Sequence, residues 1–190
     1  EADNPHDRLT RLSARAIAAD PATVGTVAAG YIDGLRQRGV RATLKHFPGL
    51  GRVRQDTHLR PARLEESLGA LAADWQPFRQ LASHPGAAIM LGHVTLAAID
   101  PQRAASHSAA VVDSLLRTEW DYDGVLITDD LNMGAVYDLG IGRVASEALA
   151  VGVDLVLVSY DPRQVYRAVY AAAQALERGE IPLQRLQQSE

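Results

Sequence analysis

The chain has 190 residues, 47% of them hydrophobic and 22% charged, the balance of a folded domain with a buried core and not of a disordered segment. A net charge of -4 leaves no basic footprint for nucleic acid or an anionic membrane, and the lack of cysteine excludes disulfides and thiolate metal sites in any redox compartment. No apolar run is long enough to span a bilayer, and no leader-like stretch follows Glu1, so the compartment stays open between cytoplasm and periplasm or exterior.

Asp20-Pro21 reads as an N-cap with proline at the first helical position, and Val24, Val27, Ala28, Tyr31, Ile32 and Leu35 recur at helical spacing until Gly39. A strand over 40–44 comes next and sets Lys45 and His46 at its carboxyl end. Pro48, Gly49 and Gly51 break it. The loop that continues to His58 carries Arg52, Arg54, Asp56 and a second histidine, and loops held by a rigid scaffold are where chemistry is usually placed. Leu64, Leu68, Leu71, Trp75, Phe78 and Leu81 form the next helical stripe, with Pro77 a kink point. Residues 87–94, apolar but for Gly92 and His93, read as one buried strand. Ser108 caps a helix whose face is Val111, Val112, Leu115, Leu116 and Trp120. Asp123-Gly124 turns the chain into a strand over 125–128 that ends at Asp129-Asp130. Residues 144–151 are helical, 153–158 are another buried strand, and Asp161-Pro162 caps a last helix carrying Val165, Val169 and Leu176. Met133 and Trp75 read as core, while His6, His84 and His107 read as solvated.

Short apolar strands alternating with helices predict a parallel sheet covered on both faces and joined by right-handed crossovers, so the class is α/β. Polar groups fall at the end of strand after strand: Lys45 and His46, His93, Asp129, Ser159. That favours a (β/α)8 barrel over an open doubly wound sheet, where such groups would gather at one switch point. A barrel needs at least roughly 200 residues, and a half barrel would expose two unpaired strand edges. Residues 1–190 are therefore expected to be the carboxyl-terminal part of a single barrel, completed by a missing amino-terminal half or by a second chain.

The carboxylate pair Asp129-Asp130 at the end of a buried strand is too costly to bury idly. One of the two is expected to act chemically, with Lys45 or Arg15 keeping it ionised; the competing structural reading is that either caps the next helix, and Asp129, nearer the strand, is the candidate nucleophile. Each candidate also has a structural reading. His58 reads as a solvated loop residue, His46 as a strand-end cap, Lys45 as a structural cation and Arg15 as a surface helix residue.

Taken together, four ordered segments resemble glycoside hydrolase family 3, and within it the bacterial β-N-acetylglucosaminidases of peptidoglycan turnover. Lys45 to Gly51 followed by Asp56-Thr57-His58 resembles the family's Lys-His-Phe-Pro-Gly-His-Gly and Asp-Ser-His. Thr128 to Met133 resembles its Ser-Asp-Asp-Leu-Ser-Met, Ile89 to Val94 its Met-x-Ala-His-Val, and Arg15 to Pro21 its Arg-Ser-Phe-x-x-Asp-Pro. The resemblance implies a retaining hydrolase of β-linked N-acetylglucosamine that needs no cofactor and no metal. Asp129 would be its nucleophile and His58 its acid/base, oriented and charged by Asp56; Lys45, His46, Arg15 and His93 would contact the sugar. The partner is then a carbohydrate. Leu50 departs from the pattern, standing where the subfamily has histidine. Two other readings are a metal-dependent barrel hydrolase with His46, His58, His93 and Asp129 as ligands, and a non-catalytic half-barrel remnant.

Overall fold

The computed structural model describes residues 16–189. Asp20 accepts the Thr23 N–H at 2.8 Å with Pro21 in the first turn, so helix α1 (Pro21–Arg36) begins where its cap dictates. In chain order there come next β1 (Ala42–Phe47), β2 (Ala62–Leu64), α2 (Leu68–Ala82), β3 (Ala87–Leu91), β4 (Val94–Leu96) and α3 (Ala110–Glu119). The remainder is β5 (Leu126–Thr128), the short α4 (Gly134–Tyr137), α5 (Ile141–Ala150), α6 (Arg163–Glu177) and α7 (Leu183–Gln188). Helix α3 is widely wound, its end closed by the Trp120 N–H on Leu115 O at 2.9 Å.

The fold is α/β with parallel strands. One sheet has the order β1-β3-β5, and β2 and β4 pair separately, also in parallel. Leu64, expected on a helix, therefore belongs to β2, where it packs at 2% exposure. The run 87–94, expected as one strand, is two. β3 ends before Gly92, whose N–H donates to the Phe47 carbonyl at 2.8 Å, and after His93 the chain crosses into the second sheet.

The segment 153–158, expected as a buried strand, lies parallel to β5 but forms only an isolated bridge, Ile127 to Leu155. Part of its ladder is replaced by the Thr128 hydroxyl, which accepts the Leu157 N–H at 3.0 Å. Arg117 holds the entrance to this pair: it donates to the carbonyls of Tyr122, Gly124 and Gly152 and to Asp154, whose Oδ2 accepts the Leu126 N–H at 2.7 Å.

Helices α2 and α3 cover one face of the main sheet. Ile89, Leu91 and Leu126 are buried there, with Phe47 against the rings of Trp75, Phe78 and Trp120. Two covered faces are expected, and among the described residues only this one is covered. Thr43 and Lys45 on the opposite face are exposed, and Ala88, Met90 and Ile127 are only half-buried. The flanks are open as well. Val27 and Tyr31 on α1, and Val165 and Val169 on α6, lie on the apolar stripes expected to pack yet are exposed, and the buried side of α6 is Gln164, Ala168 and Ala175. Among the described residues no helix is long and apolar enough to cross a membrane.

Candidate active site

At the carboxyl end of β1 the ladder gains one residue. Leu44 pairs with Ile89 but Phe47 with Leu91, and the peptide bonds Lys45–His46 and Phe47–Pro48 are both cis. A bulge of this kind re-aims side chains. Leu44 and Phe47 both face the helices, and the residues between them turn to the open side, where His46 Nε2 lies 3.7 Å from Asp129 Oδ2 across β3. Lys45 is exposed, and among the described residues it forms no ion pair with Asp129; the group that meets the carboxylate is His46, itself 7% exposed. Arg15, the other cation expected to act there, lies outside the described residues.

The two adjacent carboxylates have different fates. Asp130 accepts the Asn132 N–H and side-chain amide, each at 3.0 Å, and takes both the hydroxyl and the N–H of Ser159. These donors hold its pKa below the ordinary carboxylate value against the opposing effect of burial, which is the largest single influence. Asp130 is thus a brace between the end of β5 and the end of the 153–158 segment, and Ser159 is the other half of that brace. Asp129 is tied only lightly. Its N–H donates to Leu91 O at 2.9 Å, its Oδ1 accepts the Asp130 N–H at 2.9 Å, and Oδ2 is turned toward His46.

The glycine-rich loop is seated by Trp75, whose indole N–H donates to Pro48 O at 3.0 Å, and by Arg52, which pairs with Asp74 on α2. Leu50, 8% exposed, belongs to the core cluster beneath and packs there. Farther along, Asp56 Oδ1 accepts both the backbone N–H of His58 at 2.9 Å and its ring Nδ1 at 2.7 Å. A carboxylate can only accept, so Nδ1 carries a proton and Nε2 is the atom left to exchange one. The His58 side chain is 57% exposed and that of Asp56 12%, so the imidazole is reachable while its partner is shielded.

This loop is fastened to the segment after Asp129. The Gly134 N–H donates to His58 O at 2.8 Å and the Ala135 N–H to Thr57 O at 3.2 Å. A Cβ on Gly134 would overlap the Leu59 carbonyl, 2.6 Å from its carbon, and backbone cannot swing aside. Gly134→Ala is therefore expected to lift the His58 loop, costing about 1–3 kcal/mol of stability and about 10-fold or more in any activity that needs His58 and Asp129 together. Wild-type melting and rate in this variant would show the close approach to be unimportant. Gly134 is absent from the residues singled out by sequence, although a glycine immediately after the Asp-Asp-Leu-Asn-Met stretch is the signal that could have found it.

His93, expected to contact sugar, does not line the open face. It is 2% exposed, with Nδ1 on Ser106 Oγ at 2.8 Å and Nε2 on Asp130 O at 3.0 Å, so neither nitrogen is left for a ligand. The same engagement removes it from the metal-ligand set, and among the described residues no group of three or more His, Asp or Glu side chains could hold a metal ion. His107, expected to be solvated, is 3% exposed with Nδ1 3.1 Å from Ser106 Oγ, and burial pushes its imidazole down to about 4. Its neighbours Ala104, Ala105, Ser106 and Ser108 are all small, which is the available clue to a buried histidine.

The buried His107 fixes a pH dependence. Unfolded, it takes a proton near its ordinary 6.5; folded, only near about 4. The unfolded chain binds more protons in between, so the His107 contribution is complete above pH 6.5 and falls as pH drops toward 4. About 2 kcal/mol is lost between about pH 7.5 and about pH 5. The urea midpoint is expected to fall over that range, and to fall less in His107→Phe, which has nothing to protonate. Equal falls in both proteins would refute the assignment.

Comparison with known proteins agrees with this architecture. The profile described as "Glycosyl hydrolase family 3 N terminal domain" matches residues 3–190. A beta-hexosaminidase of Alkalilimnicola ehrlichii is 39% identical over 153 residues, 80% of this chain and 44% of its own. The beta-hexosaminidase LpqI of Mycobacterium tuberculosis is 34% identical over 194 residues, 98% of this chain and 49% of its own. The chain thus spans less than half the length of these curated relatives. Among solved structures, a family 3 beta-N-acetylglucosaminidase from a Paenibacillus species superposes with a TM-score of 0.85 at 34% identity, over 88% of this chain and 32% of that one.

Proposed function

The chain belongs to glycoside hydrolase family 3, and from that premise we propose that it carries the catalytic residues of a retaining β-N-acetylglucosaminidase acting on glycans such as peptidoglycan fragments. Asp129 attacks the anomeric carbon as the bond to the leaving oxygen breaks, and His58, held by Asp56, gives that oxygen its proton. In the second step neutral His58 takes a proton from water, whose oxygen attacks the anomeric carbon and frees Asp129. Lys45 and His46 bind sugar hydroxyls from the open side of the sheet, and Arg15 binds a further hydroxyl.

The observation that carries this reading is the Asp56–His58 pair, at 2.7 Å, on a loop bonded to the segment after a lightly tied Asp129. The names of the relatives, beta-hexosaminidase and beta-N-acetylglucosaminidase, supply the substrate class.

Residues 1–190 are, on this reading, the carboxyl-terminal part of a single (β/α)8 barrel. Its support is the uncovered face of the main sheet and the bare apolar residues on α1 and α6, Val27, Tyr31, Val165 and Val169, which the rest of a barrel would cover. The test uses the full-length protein and a chromogenic N-acetyl-β-glucosaminide, with the first-formed sugar followed by proton NMR. Release of the β-anomer first is expected, and release of the α-anomer first would exclude a glycosyl-enzyme on Asp129.

A further inference from the structure

Hydrogen-bonding roles around His93 are determined by what each partner can do. The Asp130 carbonyl only accepts, so His93 Nε2 must carry a proton to meet it at 3.0 Å. His93 and Ser106 are buried, at 2% and 0% exposure, which disfavours an imidazolium, so Nδ1 is bare and takes the single hydroxyl proton of Ser106. That proton spent, Ser106 Oγ can only accept from His107, which therefore holds its proton on Nδ1. The chain runs one way: His107 to Ser106 to His93 to the Asp130 carbonyl.

The end of this chain is next to the candidate nucleophile. The Asp130 N–H is held by Asp129 Oδ1 and the Asp130 carbonyl by His93, so both peptide groups of Asp130 are gripped. Asp129 itself is held by its N–H on Leu91, two residues before His93. Tilting the Asp130 backbone would swing the Asp129 carboxylate, because Oδ1 follows the N–H it accepts.

We propose that Ser106 and His107 are positioning residues for the nucleophile: the Ser106 hydroxyl, oriented by His107, occupies the bare His93 Nδ1 and holds the ring in place, and His93 then clamps the Asp130 carbonyl and holds the Asp129 carboxylate in its attacking orientation. This rests on the reading of Asp129 as nucleophile. Neither residue touches the sugar, so the effect falls on kcat and not on KM.

The test compares the full-length wild type with Ser106→Ala and with His107→Asn, whose amide N–H stands in for Nδ1–H. It reads kcat and KM on the chromogenic N-acetyl-β-glucosaminide together with side-chain nitrogen-15 shifts of His93 and His107. Wild-type His93 is expected to show a bare Nδ1 and a protonated Nε2. Ser106→Ala is expected to strip the hydrogen bond from the bare His93 Nδ1, moving its nitrogen-15 shift, and to lower kcat about 10- to 100-fold with KM within about twofold, while His107→Asn keeps kcat within about threefold. An unchanged His93 Nδ1 shift and an unchanged kcat in Ser106→Ala overturn the proposal and leave Asp129 as nucleophile. A large kcat loss in His107→Asn overturns the role given to His107. If the wild type hydrolyses no glycoside, the functional reading fails by itself, and the shifts still decide: a protonated Nδ1 on His93 overturns the clamp, and a bare one supports it.

Discussion

Asp129→Ala in the full-length protein is expected to lower hydrolysis of an N-acetyl-β-glucosaminide by about 10,000-fold or more, the scale on which a lost nucleophile acts. Asp130→Ala is expected to behave differently. It removes an acceptor shared by Asn132 and Ser159 and so costs about 2–3 kcal/mol of stability, with residual turnover in whatever fraction stays folded. The contrast is diagnostic because the two residues are adjacent and chemically identical, and only their partners differ. Azide sharpens it. In the cavity left by Asp129→Ala, azide attacks from the face the carboxylate used and gives the α-glycosyl azide. Equal losses in both variants, with no azide product, would remove Asp129 from the nucleophile role.

His58→Ala is expected to cost about 100- to 10,000-fold, and the size of the loss should depend on the leaving group. A sugar alkoxide needs its proton as the bond breaks; a nitrophenolate departs without one. Loss on a disaccharide substrate should therefore exceed loss on the nitrophenyl glycoside, for which the second step becomes limiting. Azide, which needs no general base, should then restore that step and yield the β-glycosyl azide. Asp56→Asn keeps an acceptor for the His58 ring N–H but removes the carboxylate charge, so it should fall between wild type and His58→Ala. A loss in His58→Ala that is the same for every leaving group and indifferent to azide would show that His58 is not the acid/base.

Much of the fold is legible in the sequence because it is local. The Asp20 cap and Pro21, the proline and glycine break after β1 and the start of α6 beside Asp161 each rest on neighbours a few residues away; β1 itself runs on to Phe47, three residues past the expected end at 44. The division of 87–94 into two strands is not legible, because hydrophobicity cannot report that the two pieces pair in different sheets, 87–91 with β1 and β5 and 94–96 with β2. The outward faces of α1 and α6 are hidden for a related reason: periodicity shows which side of a helix is apolar, not whether anything covers it.

The sequence by itself determined the chemical inventory and its local pairing. Asp56 and His58, two residues apart on one loop, are near enough along the chain to meet, and they do. Tertiary structure alone decided which groups are free to act. Asp130 is occupied by Ser159, 29 positions away, and Asp129 is not. His93 has the sequence context of a sugar ligand, but Ser106, 13 positions on, and Asp130, 37 positions on, take both its nitrogens. The physical reason is that a side chain's availability is set by burial and by hydrogen bonds already made, and those partners are brought together by the sheet and not by the order of residues along the chain.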